Sequence, residues 1–247
     1  FMYENFALLY DKLMLDVDYK KRTEYVLSLF CEYDRKPTLM LDLCCGTGSF
    51  STEFAEKGID VIGVDVSNEM LMSAREKAND KSLDILYLCQ DATELDLYGT
   101  VDGAVCLMDS LNHITDYENF CTAIKKVSLF LEKDRLFIFD VNTIYKHKYV
   151  LADNTFIIEN DELYCVWQNE YNYKEKTVDI SLDIFKNNGK NYTRNSEYIT
   201  ERAYSQKEIK SALTKAGLKI EAVFGDMTNT PPEKTQERLI YVTRKVY

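Results

Sequence analysis

Proline and histidine are scarce in this chain, with three of the former and two of the latter in 247 residues. With so little proline, no Pro-rich linker divides the chain, and no internal repeat or low-complexity tract does either. Two histidines and no Cys-x-x-Cys pair leave the usual spacing of a zinc site missing, so no metal is expected. No stretch approaches ~20 uninterrupted apolar residues, which excludes a helical membrane span. The opening residues FMYENFALLYDKL lack the charged-then-apolar layout of a secretory signal. Basic charge is short as well: 30 Lys and Arg stand against 41 Asp and Glu, a formal net charge of −11. Such a surface repels a phosphate backbone and no basic groove is legible, so no nucleic-acid partner is expected. A small neutral or cationic substrate is favoured instead. The cysteines at 31, 44, 45, 89, 106, 121 and 165 lie mostly in apolar runs and are odd in number. They read as free thiols of a cytoplasmic protein.

What is present is alternation of two kinds. Short apolar runs at Leu39–Leu43, Val61–Val64, Ile85–Leu88, Ala104–Met108 and Leu136–Phe139 are those of strands buried on both faces of a parallel sheet. Helical periodicity lies between them. Tyr25, Val26, Leu29 and Phe30 mark a helix ahead of the first strand, Ser67 caps one carrying Met70 and Leu71, and Asp116 caps one carrying Phe120, Ile124 and Val127. Such βα repetition predicts right-handed crossovers and a ligand at the carboxyl ends of the strands. From about residue 154 to 203 the period changes to two, with a hairpin turn at Asn187-Asn-Gly-Lys190. Ser205-Gln-Lys-Glu208 is a capping box for a further helix stopped by Gly217, and two strands, Leu218–Phe224 and Leu239–Val246, follow.

The first strand runs into Asp42-Leu-Cys44-Cys45-Gly46-Thr-Gly48, where two glycines let the backbone turn sharply beside a ligand. Asp65 closes the second strand about 20 residues after Gly46, where nucleotide-binding folds hold a carboxylate for two ribose hydroxyls. Asp91 closes the third, in reach of an adenine amino group. The third glycine of G-x-G-x-x-G is Ser51 here, which weakens a pyrophosphate and hence an NAD-dependent oxidoreductase reading. A cationic ligand without pyrophosphate suits Asp42, Asp65 and Asp91 better, and S-adenosylmethionine is such a ligand.

LDLCCGTG, VIGVDVSNEML and CQDA resemble the first three motifs of class I S-adenosylmethionine-dependent methyltransferases, over roughly residues 38–145. The tyrosine-rich start Tyr3-Glu-Asn-Phe-Ala-Leu-Leu-Tyr10-Asp11 and the β-rich insert are similar to sugar N-methyltransferases and glycine N-methyltransferase. Cys106-Leu-Met-Asp109-Ser-Leu-Asn112 is similar to a fourth motif of bacterial small-molecule members. The resemblance implies an α/β fold: a seven-stranded, doubly wound Rossmann-like sheet with an inserted antiparallel β lid. It divides the chain into a helical cap (1–37), the cofactor-binding domain (38–150 with 204–247) and the insert (151–203). It places Asp42 and Gly46 at the methionine end of S-adenosylmethionine, Asp65 on the ribose, Met70 on adenine, and Asp91 and Ala92 at its polar edge. Gly48, Val66 and Met108 complete the expected cofactor wall, with Cys44 standing where the family has its first glycine.

His113 matches an acceptor-side histidine able to take the proton that a methylated amine loses, and a hydrogen-bonded structural role is its alternative. Tyr10 matches a tyrosine that folds over the cofactor, and it is the second catalytic candidate. Trp167, Tyr171 and Tyr198 are candidates for an acceptor pocket or for packing the insert. The expected activity is in-line methyl transfer to nitrogen or oxygen of a small molecule by a monomer or homodimer. A non-catalytic S-adenosylmethionine-binding protein and an RNA methyltransferase are the alternatives.

Overall fold

The computed structural model describes residues 6–247. Two helices, α1 (Phe6–Leu13) and α2 (Tyr19–Tyr33), precede the first strand, and Tyr3 of the expected tyrosine-rich segment lies outside the described residues. Strands β1 (Leu39–Leu43), β2 (Asp60–Asp65) and β3 (Leu86–Cys89) alternate with helices α3 (Ser49–Glu56) and α4 (Asn68–Asp80). Next come β4 (Gly103–Cys106), α5 (Tyr117–Phe130) and β5 (Leu136–Asn142). After an antiparallel insert, α6 (Gln206–Lys215), β10 (Leu218–Gly225) and β11 (Arg238–Lys245) finish the chain. The large sheet has the order β10-β11-β5-β4-β1-β2-β3. β11 runs antiparallel to both of its neighbours, while the other neighbouring pairs are parallel.

All seven residues of β5 and all four of β4 are buried, as strands covered on both faces must be. One face packs Leu41, Cys106, Phe137, Phe139 and Tyr241 against α5 and α6. The other packs Met40, Val105, Ile138 and Val242 against Phe30 of α2 and Phe54 of α3. The caps read from sequence hold the helices that border the strand ends. Ser67 Oγ accepts from Met70 N–H, the Asp116 side chain accepts from Asn119 N–H, and Ser205 with Glu208 closes a full capping box.

The insert is a four-stranded meander, β6 (Thr155–Glu159), β7 (Leu163–Asn172), β8 (Thr177–Asn187) and β9 (Tyr192–Arg202), in that spatial order. Val178, Ile180, Leu182 and Ile184 alternate along β8 onto one buried face, where Leu9 of α1 and Leu151 meet them. A wide helical turn, Lys146–Leu151, leads from β5 toward β6. Asn112 Nδ2 fastens the joint by donating to Asn142 O (3.2 Å) and Arg202 O (2.8 Å). Among the described residues no helix is long and apolar enough to cross a membrane.

Candidate active site

The loop after β1 passes through left-handed backbone at Cys44 (φ 57°), Gly46 (φ 54°) and Gly48 (φ 71°). Glycine takes this geometry freely, whereas Cys44 holds it at a cost of about 1–2 kcal/mol. Cross-strand bonds secure the turn: Cys45 N–H donates to Val64 O (3.0 Å) and Gly46 N–H to Asp65 Oδ2 (2.9 Å). Asp65 Oδ1 also accepts from Ser67 N–H (2.9 Å), so one carboxylate ties the glycine loop to the N-terminus of α4. Burial pushes its carboxyl above the ordinary value, against the pull of the Ser67 and Gly46 amides.

A cavity of about 540 Å³ opens over the carboxyl ends of β1, β2, β3 and β4. Cys44, Gly46, Asp65, Val66, Met70, Asp91, Ala92 and Met108 line it, together with Tyr10 and His113. The structure therefore brings together ten of the candidates read from sequence. Asp42 sits deeper, 2% exposed, on a second cavity of about 40 Å³ that shares Tyr10, Cys44, Gly46, Met108 and Ser110 with the first. Gly48 lines neither. A Cβ there would fall 2.5 Å from Tyr87 Oη and 2.8 Å from Ala74 Cβ, so close packing of α3 accounts for this glycine. Ser51 has its own task, since its Oγ donates to Asp42 Oδ2 at 2.5 Å. Burial nevertheless pushes Asp42 up to about 7, with the Ser51 bond acting the other way. Asp91 accepts both Thr93 N–H (2.7 Å) and Thr93 Oγ1 (2.6 Å) through Oδ1, leaving Oδ2 without a partner among the described residues. Ser67, Gln90, Thr93, Thr115, Asp116, Asn119 and Ile199 also line the cavity, and no sequence motif marks them as ligand contacts. Ser67 and Asp116 were legible only as helix caps.

A second polar group lies beside this cleft. The fourth apolar run predicts a strand through Met108, but β4 ends at Cys106, and Met108 and Asp109 take left-handed backbone (φ 57° and 51°). Asp140, buried in β5, accepts Met108 N–H (2.9 Å) and Asp109 N–H (2.5 Å) and so holds this turn. Arg238 donates to Asp140 Oδ1 (2.6 Å) and pairs with Asp109. Burial works to raise the Asp109 carboxyl, yet Arg238, Lys146 and His113 hold it down at about 2, while burial keeps Asp140 above its ordinary value. Asn142 Nδ2 donates to Asp109 Oδ2 (2.7 Å) and Glu201 Oε2 (3.2 Å), and His147 Nε2 lies 3.1 Å from the same Glu201 oxygen. His113 Nε2 stands 4.0 Å from Glu201 Oε1, too far for a hydrogen bond. One ligand atom each from Asp109, His113 and Glu201 lies within 4.8 Å of the others, a convergence that no sequence spacing announced. Tyr10 faces this group, and burial first, then Tyr19 and Asp109, push its phenol upward.

The aromatic residues of the insert stay out of the cleft. Trp167 and Tyr171 pack in the insert's own core. Tyr198 pairs with Ser181 on the opposite face and is 77% exposed, so the neighbouring Ile199 is the β9 residue that reaches the cavity.

Comparison with known proteins adds four likenesses. Residues 40–132 match a family model described as a methyltransferase domain. The Bacillus subtilis (strain 168) protein named "Putative methyltransferase YqeM" is 33% identical over 245 residues, 99% of this chain and 97% of that protein. A crystal structure of an S-adenosylmethionine-dependent methyltransferase from Clostridium acetobutylicum ATCC 824 superposes with a TM-score of 0.91 at 33% identity, covering 99% of each chain. The sugar N-methyltransferase KedS8 from Streptoalloteichus sp ATCC 53650 shares the fold, with a TM-score of 0.77 at 18% identity over 97% of this chain and 92% of that one.

Proposed function

Because the chain belongs to the class I S-adenosylmethionine-dependent methyltransferases, we propose that it methylates nitrogen or oxygen of a small-molecule acceptor. The observation that carries this reading is the lining of the cleft. Its charged residues are Asp65, Asp91, Asp116 and the titratable His113, and no lysine or arginine lines it among the described residues. A nucleic-acid strand needs a basic track for its phosphates, whereas a bounded cavity of about 540 Å³ is of small-molecule size. Tyr10, carried on α1, and Ile199, carried on the insert, supply the wall that shuts out water.

In this reading the cofactor lies across β1, β2 and β3. Asp65 holds the ribose, Met70 and Val66 flank adenine, and Asp91 and Ala92 meet its polar edge. Asp42, Cys44, Gly46 and Met108 surround the methionine end, with Gly48 supporting the loop from behind. The cofactor's sulfonium supplies an already activated methyl group, so the protein has to align the acceptor and exclude solvent. His113 is positioned as the general base and Tyr10 as a cover. Seven unbridged cysteines suit a reducing cytoplasm.

The test is S-adenosylhomocysteine release over panels of small amines, sugars, phenols and RNA. Turnover confined to small molecules is expected. Turnover on RNA alone, or binding of the cofactor with no turnover on any panel, overturns the proposal.

Asp42 adds a pH dependence. Its carboxyl is still largely protonated at pH 6, because burial has raised it to about 7. A cationic cofactor favours the ionised form, so affinity for S-adenosylmethionine should rise roughly tenfold between pH 6 and pH 8, with proton release on binding. Calorimetry in buffers of different ionisation enthalpy measures both effects. Asp42→Asn should flatten the profile, and a flat profile in the unaltered chain would remove Asp42 from the methionine end.

A further inference from the structure

We propose that the methyl acceptor carries a carboxylate and that Lys146 binds it, in a polar cavity beside the cofactor cleft; the inference rests on the methyltransferase reading above. The cavity holds about 420 Å³. Arg22 of α2, Lys146 after β5, Asp226 after β10, and Gln236, Glu237 and Arg238 leading into β11 line it. Its place follows from the sheet. β5 ends at Asn142, which pairs with Arg238 at the start of the antiparallel β11, and β10 ends at Gly225. These ends lie on the same edge as the carboxyl ends of β1 and β4, because β4 is parallel to both β1 and β5. The cavity therefore continues the ligand-binding edge of the sheet past β4, on the side away from β3.

Charge balance singles out one side chain. Arg22 donates through both terminal nitrogens to Asp226 at 2.9 Å, and Arg238 is held by Asp109 and Asp140. Glu237, the other acid of the lining, is exposed. Lys146 is partly buried and forms no ion pair with a carboxylate among the described residues. Its Nζ donates to Asn142 Oδ1 at 3.0 Å, so two of the three N–H donors of the ammonium remain for a ligand. Holding a cation partly out of water without a counter-ion is costly, and the cavity calls for an anion. A carboxylate brings one negative charge to this one unmatched cation. A phosphate ester brings about −1.5 to −2 and would press the excess on Asp226, Glu237 and Asp109. The net charge of −11 likewise disfavours polyanions without opposing a single carboxylate seated on its own lysine.

Reach agrees with charge. Asn142 links the two cavities: its Oδ1 accepts from Lys146, and its Nδ2 donates to Asp109 Oδ2 at 2.7 Å. Asp109 stands between Met108 and Ser110, which line the cofactor cleft. One amide group thus separates the Lys146 ammonium from the turn at the cleft wall, a span of small-molecule length. Lys146 touches no reacting atom. It holds the far end of the acceptor, so its effect falls on KM and on the choice between acceptors, and a site built for a charged group rejects the neutral analogue.

The experiment compares carboxylates with their amides (glycine with glycinamide, 4-hydroxybenzoate with 4-hydroxybenzamide, anthranilate with 2-aminobenzamide) and β-alanine with phosphoethanolamine, following S-adenosylhomocysteine release. kcat/KM should favour the carboxylate member at least about tenfold, the size of one charge-assisted hydrogen bond. Lys146→Met should raise KM on that member about tenfold and so erase the preference, with kcat within about threefold and S-adenosylhomocysteine affinity within about twofold. Lys146→Arg, which keeps the charge, should keep the preference. Equal turnover of carboxylate and amide overturns the proposal. So does a preference for phosphoethanolamine, a Lys146→Met loss that falls alike on both members of a pair, or a chain that binds S-adenosylhomocysteine but turns over no carboxylate. Failure of the unaltered chain to bind S-adenosylhomocysteine is seen separately in calorimetry, and it defeats the methyltransferase reading itself.

Discussion

Asp65→Ala should abolish the thermal stabilisation that S-adenosylhomocysteine gives the unaltered chain. A ligand at 100 times its Kd stabilises the native state by about 2.7 kcal/mol, so the shift in the parent is easily read. Two hydrogen bonds from ribose hydroxyls to an ionised carboxylate contribute about 1.5–3 kcal/mol each, and their loss weakens binding at least about 100-fold. The structure adds a second consequence. Asp65 already accepts from Gly46 N–H and Ser67 N–H, both at 2.9 Å, so alanine also loosens the glycine loop and the start of α4. The variant should therefore start from a lower Tm as well as lose its response. A lowered Tm with the full ligand shift intact would leave Asp65 a loop clamp and refute its place on the ribose. NAD, which needs a pyrophosphate site, should shift neither protein.

The features legible in the sequence are those set by neighbours along the chain. Apolar runs marked β1, β2, β4 and β5 because burial inside the sheet leaves little room for polar alternation, whereas the run expected to be buried on both faces at Ile85–Leu88 is the edge strand β3, with Leu86 53% exposed. Ser67, Asp116 and Ser205 announced helices because caps act over three residues. The residues proposed for the cofactor side were legible for the same reason, since each motif sits on one strand end and lines one cavity. Those of the acceptor side were not. Glu201 lies on a strand that also carries Glu197 and Arg202, and nothing local separates it from a solvated face. Only the register with β8, which sets it beside Val178, turns it inward. Trp167, Tyr171 and Tyr198 drew attention as aromatics, yet pairing decides their fate: Trp167 meets Phe156 and Leu182, and Tyr198 meets Ser181 on the outer side. Asp140 carried the one missed signal. A carboxylate inside the apolar run Leu136–Val141 must have a buried partner, and that partner is Arg238, 98 residues further on.

Arg238→Met should then be the most damaging single substitution outside the apolar core. It removes the cation held between Asp109 and Asp140 and leaves two carboxylates, 15% and 2% exposed, without it. Breaking a buried ion pair from one side costs about 3–5 kcal/mol, which for a chain of this length lowers Tm by roughly 10 °C. The pH dependence identifies the cause. In the parent, Asp109 is held at about 2, below the unfolded value, so its share of the stability is present above about pH 4 and is lost as pH falls toward 2. Without Arg238 both carboxyls rise above the unfolded value, and stability is then lost as pH climbs through the acidic range. Urea unfolding of the two proteins from pH 4 to pH 8 should show the deficit widening with pH. A deficit constant across that range would mean that methionine only disturbs packing, and that the two carboxylates draw their stabilisation from elsewhere. Because Asp140 also holds the Met108 turn that lines the cleft, the same variant should weaken S-adenosylhomocysteine binding as well. The ion triad thereby couples the stability of the fold to the Met108–Asp109 turn at the wall of the cleft.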